Sequence, residues 1–154
     1  MSDGSRTLRS VAAGPTHLRP DLIGLVLLGG TLGTAAREAL TLTVPSLGAF
    51  PLVIFAINVA GSFALGLLLE GLVATGSHLD RGRNVRLFAG TGFLGGFTTY
   101  SALATGTDTL LRAGDAGIAL LYAGGTLALG LAAAGAGVAV AGFLRRRPTP
   151  SAGT

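Results

Sequence analysis

The 154-residue chain is 49% hydrophobic and 12% charged, with a mean hydropathy of +0.66, which excludes an ordinary soluble domain. It has 26 glycines and no cysteine, and its two histidines, His17 and His78, lie far apart in polar segments, so neither a disulfide framework nor a thiol or zinc site is available. The formal charge of +4 rests on 11 basic residues, all arginines, gathered at the ends of apolar runs without interleaved aromatics; that pattern marks membrane topology and not a nucleic-acid surface.

Residues 1–20 are polar and broken by Gly14-Pro15 and Pro20, and they read as a disordered cytoplasmic tail. They do not read as a signal peptide, because the apolar run starts only after Pro20 and no soluble domain follows. Leu22 to about Leu42 supplies the first span, since a membrane helix needs about 20 mostly apolar residues. Within it, Arg37 can snorkel to the interface or support an anion-attracting vestibule. Phe50 to about Ala74 is the second span. Its Asn58 and Ser62 are four residues apart and share a helix face, with Gly61 beside them. A mid-span asparagine either bonds a neighbouring helix or lines a polar pathway.

Gly76–Arg86 reads as a charged loop, Leu87 to about Gly106 as the third span, Asp108–Asp115 as a short polar loop, and Gly117 to about Leu144 as the fourth span. Residues 21–145 are thus expected to form one all-α membrane domain of four transmembrane helices, followed by a second disordered tail over 146–154. No Ser/His/Asp group, phosphate-cradling loop or facing carboxylate pair is present, so the sequence does not read as an enzyme.

Gly90–Leu103 (GTGFLGGFTTYSAL) organises the rest. Its middle sets Gly95-Gly96 before Phe97 and then Thr98, Thr99, Tyr100 and Ser101. Glycine costs about 1 kcal/mol in a helix interior. Backbone released from a helix at membrane depth survives only where protein or a water-filled cavity satisfies it. Two readings fit: a broken helix whose opened carbonyls and hydroxyls face an ion, or a hydroxyl-rich helix packed tightly on its neighbours.

Four spans place the N-terminus, the loop between spans two and three, and the C-terminus on one side. That side carries Arg6, Arg9, Arg19, Arg81, Arg83, Arg86, Arg145, Arg146 and Arg147; the other has Arg112, with Arg37 near a helix end. Positive loops stay cytoplasmic. Both termini are therefore expected inside a cell inner membrane, with a fixed orientation.

Several motifs together resemble the CrcB/Fluc fluoride channels of microorganisms. They are Gly29-Gly30…Gly33…Arg37, Asn58-Val59-Ala60-Gly61-Ser62-Phe63, Gly92 through Ser101, and Tyr122 with Thr126 and Gly130. The resemblance covers about residues 21–145. It implies an antiparallel dimer with two narrow pores that pass fluoride passively and lower its cytoplasmic concentration. It also implies one structural sodium ion at the dimer centre, held by the carbonyls of Gly95 and Thr98; carbonyl oxygens suit a hard cation. By the same resemblance Asn58 donates its amide to fluoride, Thr99, Ser101 and Thr126 are hydroxyl donors along the pore, and Arg37 matches the span-one arginine.

One pair departs from the family pattern. Members carry two phenylalanines three residues apart whose ring edges face fluoride; here Tyr100 and Leu103 stand there. A tyrosine still offers an electropositive edge, and leucine offers none. With the arginine bias, this points to one half of a heterodimer with a paralogous chain, against a homodimer as the simpler reading. Two other functions compete: a non-conducting or weakly conducting partner subunit, and a small multidrug-type cation exporter. An exporter wants a carboxylate at mid-membrane, whereas Glu38 and Glu70 lie toward helix ends.

Overall fold

A computed structural model describes residues 19–44, 48–74 and 80–146. The two expected tails fall almost entirely outside that range. Among the described residues all regular structure is helical. Helix α1 spans Pro20–Thr43 and begins on proline, whose missing N–H costs nothing in a first turn. Helix α2 spans Leu52–Ala74. Helix α3, Asp80–Val85, runs into a π-helical segment, Arg86–Leu94, and then the short α4, Gly95–Phe97. Two extended residues follow, and the chain resumes as α5, Tyr100–Arg112, and α6, Ala116–Arg145.

Three of these helices, α1, α2 and α6, are long and apolar enough to cross a membrane uninterrupted. At 1.5 Å per residue each exceeds the roughly 30 Å of a bilayer's hydrocarbon core. The third expected span is broken, as Gly95-Gly96 and the hydroxyl run suggested, with Thr98 and Thr99 both extended. Its ends differ from the sequence reading. Helix is already under way at Asp80, inside the expected Gly76–Arg86 loop. At the far end, the expected Asp108–Asp115 loop is mostly helix. Arg112 Nε meets Asp108 Oδ2 at 2.7 Å one turn away, so the charges decorate a helix face instead of ending it. The true turn is short and centres on Gly114, whose φ of 87° suits glycine.

The helices alternate in direction. Glu70 Oε1 and Arg145 Nη2, 3.4 Å apart, join the C-terminal ends of α2 and α6. The rings of Phe50 and Tyr122, 5.4 Å apart edge to face, join their N-terminal ends. Helix α1 lies along the π-helical segment and α4 in the same sense, and Thr34 Oγ1 reaches Gly96 O at 3.4 Å near its far end.

Lipid offers no hydrophobic drive between helices, so close packing must hold them together. Glycine supplies it. A Cβ on Gly33 would strike the carbonyl of Phe93, and one on Gly92 would lie 2.9 Å from Val26 O. On the other side, Gly66 and Gly137 press against Ala134 and Phe63. A second kind of packing fills the N-terminal end of α2 and α6. There Ile54, Leu103, Leu110, Ala119 and Tyr122 form a buried cluster, flanked by Phe50 and Phe55. Elsewhere the spans are apolar all round yet little buried; Leu27 is 65% and Leu131 77% exposed. Lipid or another membrane-embedded chain must cover such a surface. The chain is a multi-pass membrane protein.

Candidate functional site

The break is built by three side chains that take over backbone hydrogen bonds. Leu94 O accepts from both Thr98 N (2.9 Å) and Thr98 Oγ1 (2.8 Å), which closes the last turn of α4. Thr99 is the N-cap of α5, its Oγ1 accepting from Ala102 N at 3.1 Å. Asn58, reaching across from α2, accepts from Thr99 N with Oδ1 (2.8 Å) and donates Nδ2 to Thr99 O (3.2 Å).

These substitutions release two carbonyls. In an unbroken helix Gly95 O would receive the Thr99 N–H and Thr98 O the Ala102 N–H. The first donor is turned to Asn58 and the second to the Thr99 hydroxyl. Among the described residues Gly95 O and Thr98 O are therefore left as oxygens for another partner, and backbone oxygens suit a hard cation. Among the described residues no group of three His, Cys, Asp or Glu side chains offers an alternative metal site.

A cavity of about 480 Å³ opens beside the break. Gly95, Thr98, Thr99 and Tyr100 border it from the broken segment, Asn58 from α2 and Thr126 from α6, with Leu103 also in its wall. Asn58 and Thr126 are 9% and 4% exposed. A buried polar side chain is costly without partners. Thr126 Oγ1 meets that requirement by donating to Tyr122 O. Asn58 has a second amide N–H beyond the one given to Thr99. The site therefore offers N–H and hydroxyl groups inside an otherwise apolar wall and no carboxylate, a set suited to a small anion that has shed water.

The chain matches the family described as "CrcB-like protein, Camphor Resistance (CrcB)" over residues 24–138, well over half its length. This chain belongs to that family. Among its relatives, "Fluoride-specific ion channel FluC 2" of Leifsonia xyli subsp. xyli is 51% identical over 126 residues, 82% of this chain and 87% of the relative. "Fluoride-specific ion channel FluC" of Thermus thermophilus is 46% identical over 122 residues, 78% and 94% of the two chains. The protein of the same name from Deinococcus radiodurans is 45% identical over 113 residues, 71% and 86%.

Within this CrcB family member, seven of the residues singled out from the sequence border one cavity: Asn58, Gly95, Thr98, Thr99, Tyr100, Leu103 and Thr126. Two do not. Ser101 is exposed and shares a 3.0 Å hydrogen bond with Thr99 Oγ1, so it touches the site through Thr99. Arg37 lies on α1, outside the cavity wall, and its buried Nε has no hydrogen-bond partner among the described residues. Tyr100 is 81% exposed, whereas Leu103 is 6% exposed and belongs to the cluster around Tyr122. Ser62 and Thr91 are cavity hydroxyls absent from the sequence-based site. The four-residue spacing from Asn58 points to Ser62; Thr91 lies in the organising stretch Gly90–Leu103 but outside its run of hydroxyls.

Proposed function

We propose that this chain is a subunit of a passive, fluoride-selective ion channel that lets fluoride leave the cytoplasm. The observation that carries the reading is the cavity at the helix break, bordered by Asn58, Thr99 and Thr126 without a carboxylate. Relatives named as fluoride-specific channels that align with most of this chain supply the identity of the anion. Fluoride is small and strongly hydrated, and a dry path must replace its water with N–H and O–H donors. In this reading Asn58 offers its remaining amide proton, the Thr99–Ser101 pair offers the one hydroxyl proton not spent between them, and Thr126 offers its own by turning it from Tyr122 O. Tyr100 presents a ring edge or its hydroxyl, Leu103 narrows the wall, and Arg37 raises the anion potential from α1.

The broken segment counts as a fourth crossing, and two chains pair antiparallel. A two-fold axis beside the break would bring the Gly95 and Thr98 carbonyls of both copies around one sodium ion, which supplies a fixed positive charge between the pores. Both termini face the cytoplasm, because the ends carrying Arg19, Arg83, Arg86 and Arg145 lie together and are richest in arginine.

A second reading, a heterodimer with a paralogous chain, is favoured by that fixed orientation and by Leu103 where a ring edge is expected. An exporter of cationic drugs gains no support, since Glu70 sits at a helix end against Arg145.

Fluoride efflux from liposomes holding this chain alone, with a chloride control, tests the proposal. Fluoride release without chloride leak is expected of a homodimer. Release only after a paralogous chain is added means a heterodimer. Equal passage of chloride, or no passage with either composition, would end the fluoride reading.

A further inference from the structure

A second cavity, about 590 Å³, lies apart from the break, between the first turns of α1 and the start of the π-helical segment. Its composition is divided. Leu22, Ile23, Val26 and Leu27 form an apolar wall on α1, while Arg83 and Arg86 stand at the opposite wall. Leu22 to Leu27 covers about 8 Å along a helix, roughly the glycerol and first methylenes of a lipid. Ile23 and Leu27 are 44% and 65% exposed, so the wall is open to the bilayer.

We propose that this groove binds one anionic phospholipid, its phosphate between Arg83 and Arg86 and an acyl chain along Ile23, Val26 and Leu27. The inference is independent of the fluoride reading. Charge complementarity selects the occupant. The acidic side chain of the first turn of α1, Asp21, meets Arg19 through both oxygens, at 2.7 and 3.2 Å, so it does not offset Arg86. A free phosphate would use the arginines and leave the leucine wall bare, while a zwitterionic lipid would fill the wall and bring its own cation to the arginines. Basic pockets between membrane helices favour anionic headgroups for this reason. Thr91 borders this groove and the cavity at the break, so a lipid seated here touches the segment that leads to the candidate ion site.

Native mass spectrometry of the full chain in detergent tests the proposal with phosphatidylglycerol, phosphatidylcholine of the same acyl chains, and inorganic phosphate as competitor. One phosphatidylglycerol per protomer is expected, held at least tenfold more tightly than phosphatidylcholine and not displaced by phosphate. Arg86→Gln is expected to reduce retention to the phosphatidylcholine level. Ile23→Trp, which fills the groove and leaves both arginines, is expected to abolish it, so either variant suffices if the other does not fold. Equal retention of the two lipids, displacement by phosphate, or full retention in both variants would overturn the proposal. The chain has no cysteine, so Leu27→Cys reports on a different occupant: efficient crosslinking between two copies in liposomes would mean that a second chain covers this face, and the lipid site would be wrong.

Discussion

Asn58 holds the broken helix open by bonding both backbone groups of Thr99, accepting its N–H at 2.8 Å and donating to its carbonyl at 3.2 Å. An asparagine amide imitates a peptide and can do both at once. Replacement by alanine leaves the two backbone groups of half-buried Thr99 short of partners. Each such loss costs about 1–3 kcal/mol, and Asn58→Ala is expected to lower the melting temperature in detergent. Asn58→Asp keeps the acceptor for Thr99 N but sets a carboxylate against Thr99 O and a negative charge at the edge of the cavity proposed to pass the anion. Its fluoride efflux is expected to fall at least tenfold, or by about 1.4 kcal/mol in barrier. Efflux near the wild-type rate would remove Asn58 from the pathway.

Thr99 caps α5 through its hydroxyl, which accepts from Ala102 N. Thr99→Val keeps the shape and removes the cap, and should cost about 0.5–2 kcal/mol. Thr99→Ser should restore most of it. Ser101→Ala, at an exposed position, should be nearly neutral. Denaturant unfolding of the three variants gives the ranking; a Ser101→Ala as damaging as Thr99→Val would make the pair, and not the cap, the stabilising unit.

Gly33 and Gly24 lie on the same helix, α1, but meet different surroundings. A methyl on Gly33 would enter the backbone of Phe93, and no flexible side chain can move aside; one on Gly24 meets nothing within 4 Å. Gly33→Ala is expected to separate α1 from the broken helix and to reduce the yield of monodisperse protein severalfold. Gly24→Ala should be neutral or gain up to about 1 kcal/mol from helix propensity. Size-exclusion profiles of the two variants decide it, and matching profiles would contradict the close approach.

Sodium removal tests the released carbonyls. A cation bound only to the folded protein stabilises it by an amount that grows with the logarithm of its concentration, about 2.7 kcal/mol at a hundredfold excess over its dissociation constant. Exchanging sodium for N-methylglucamine is expected to lower the melting temperature and to shift dimers toward monomers. A melting temperature independent of sodium would leave Gly95 and Thr98 with no role in holding a cation.

The break was legible because two glycines and a run of hydroxyls have no reason to sit together at mid-span. The Asn58–Ser62 face was legible from helical spacing alone. What Asn58 bonds was not, since a polar residue in a span signals a partner without naming it. Charge misled at Asp80–Arg86 and Asp108–Arg112, where polar residues read as loops decorate helix ends; a one-turn ion pair such as Arg112–Asp108 is compatible with either. The π-helical winding of Arg86–Leu94 leaves no mark in the residue pattern. The sequence marks Leu103 only as a pore position, because its burial depends on Tyr122, which lies beyond a turn on the next helix.

Leu103 borders the cavity at the break and also belongs to the buried cluster with Ile54 and Tyr122. Leu103→Phe therefore acts on two terms that separate experimentally. At 6% exposure a larger ring must displace neighbours, and overpacking typically costs about 1–3 kcal/mol. A phenylalanine edge in the cavity wall would at the same time offer fluoride the electropositive rim that leucine lacks. The variant is expected to melt at a lower temperature and to pass more fluoride per folded chain. Leu103→Ile, close in volume, should change neither by much. Efflux normalised to folded protein isolates the second term. If Leu103→Phe is destabilised and its normalised efflux does not rise, this position serves packing, and the ring edge that fluoride meets must come from Tyr100 or from a paired chain.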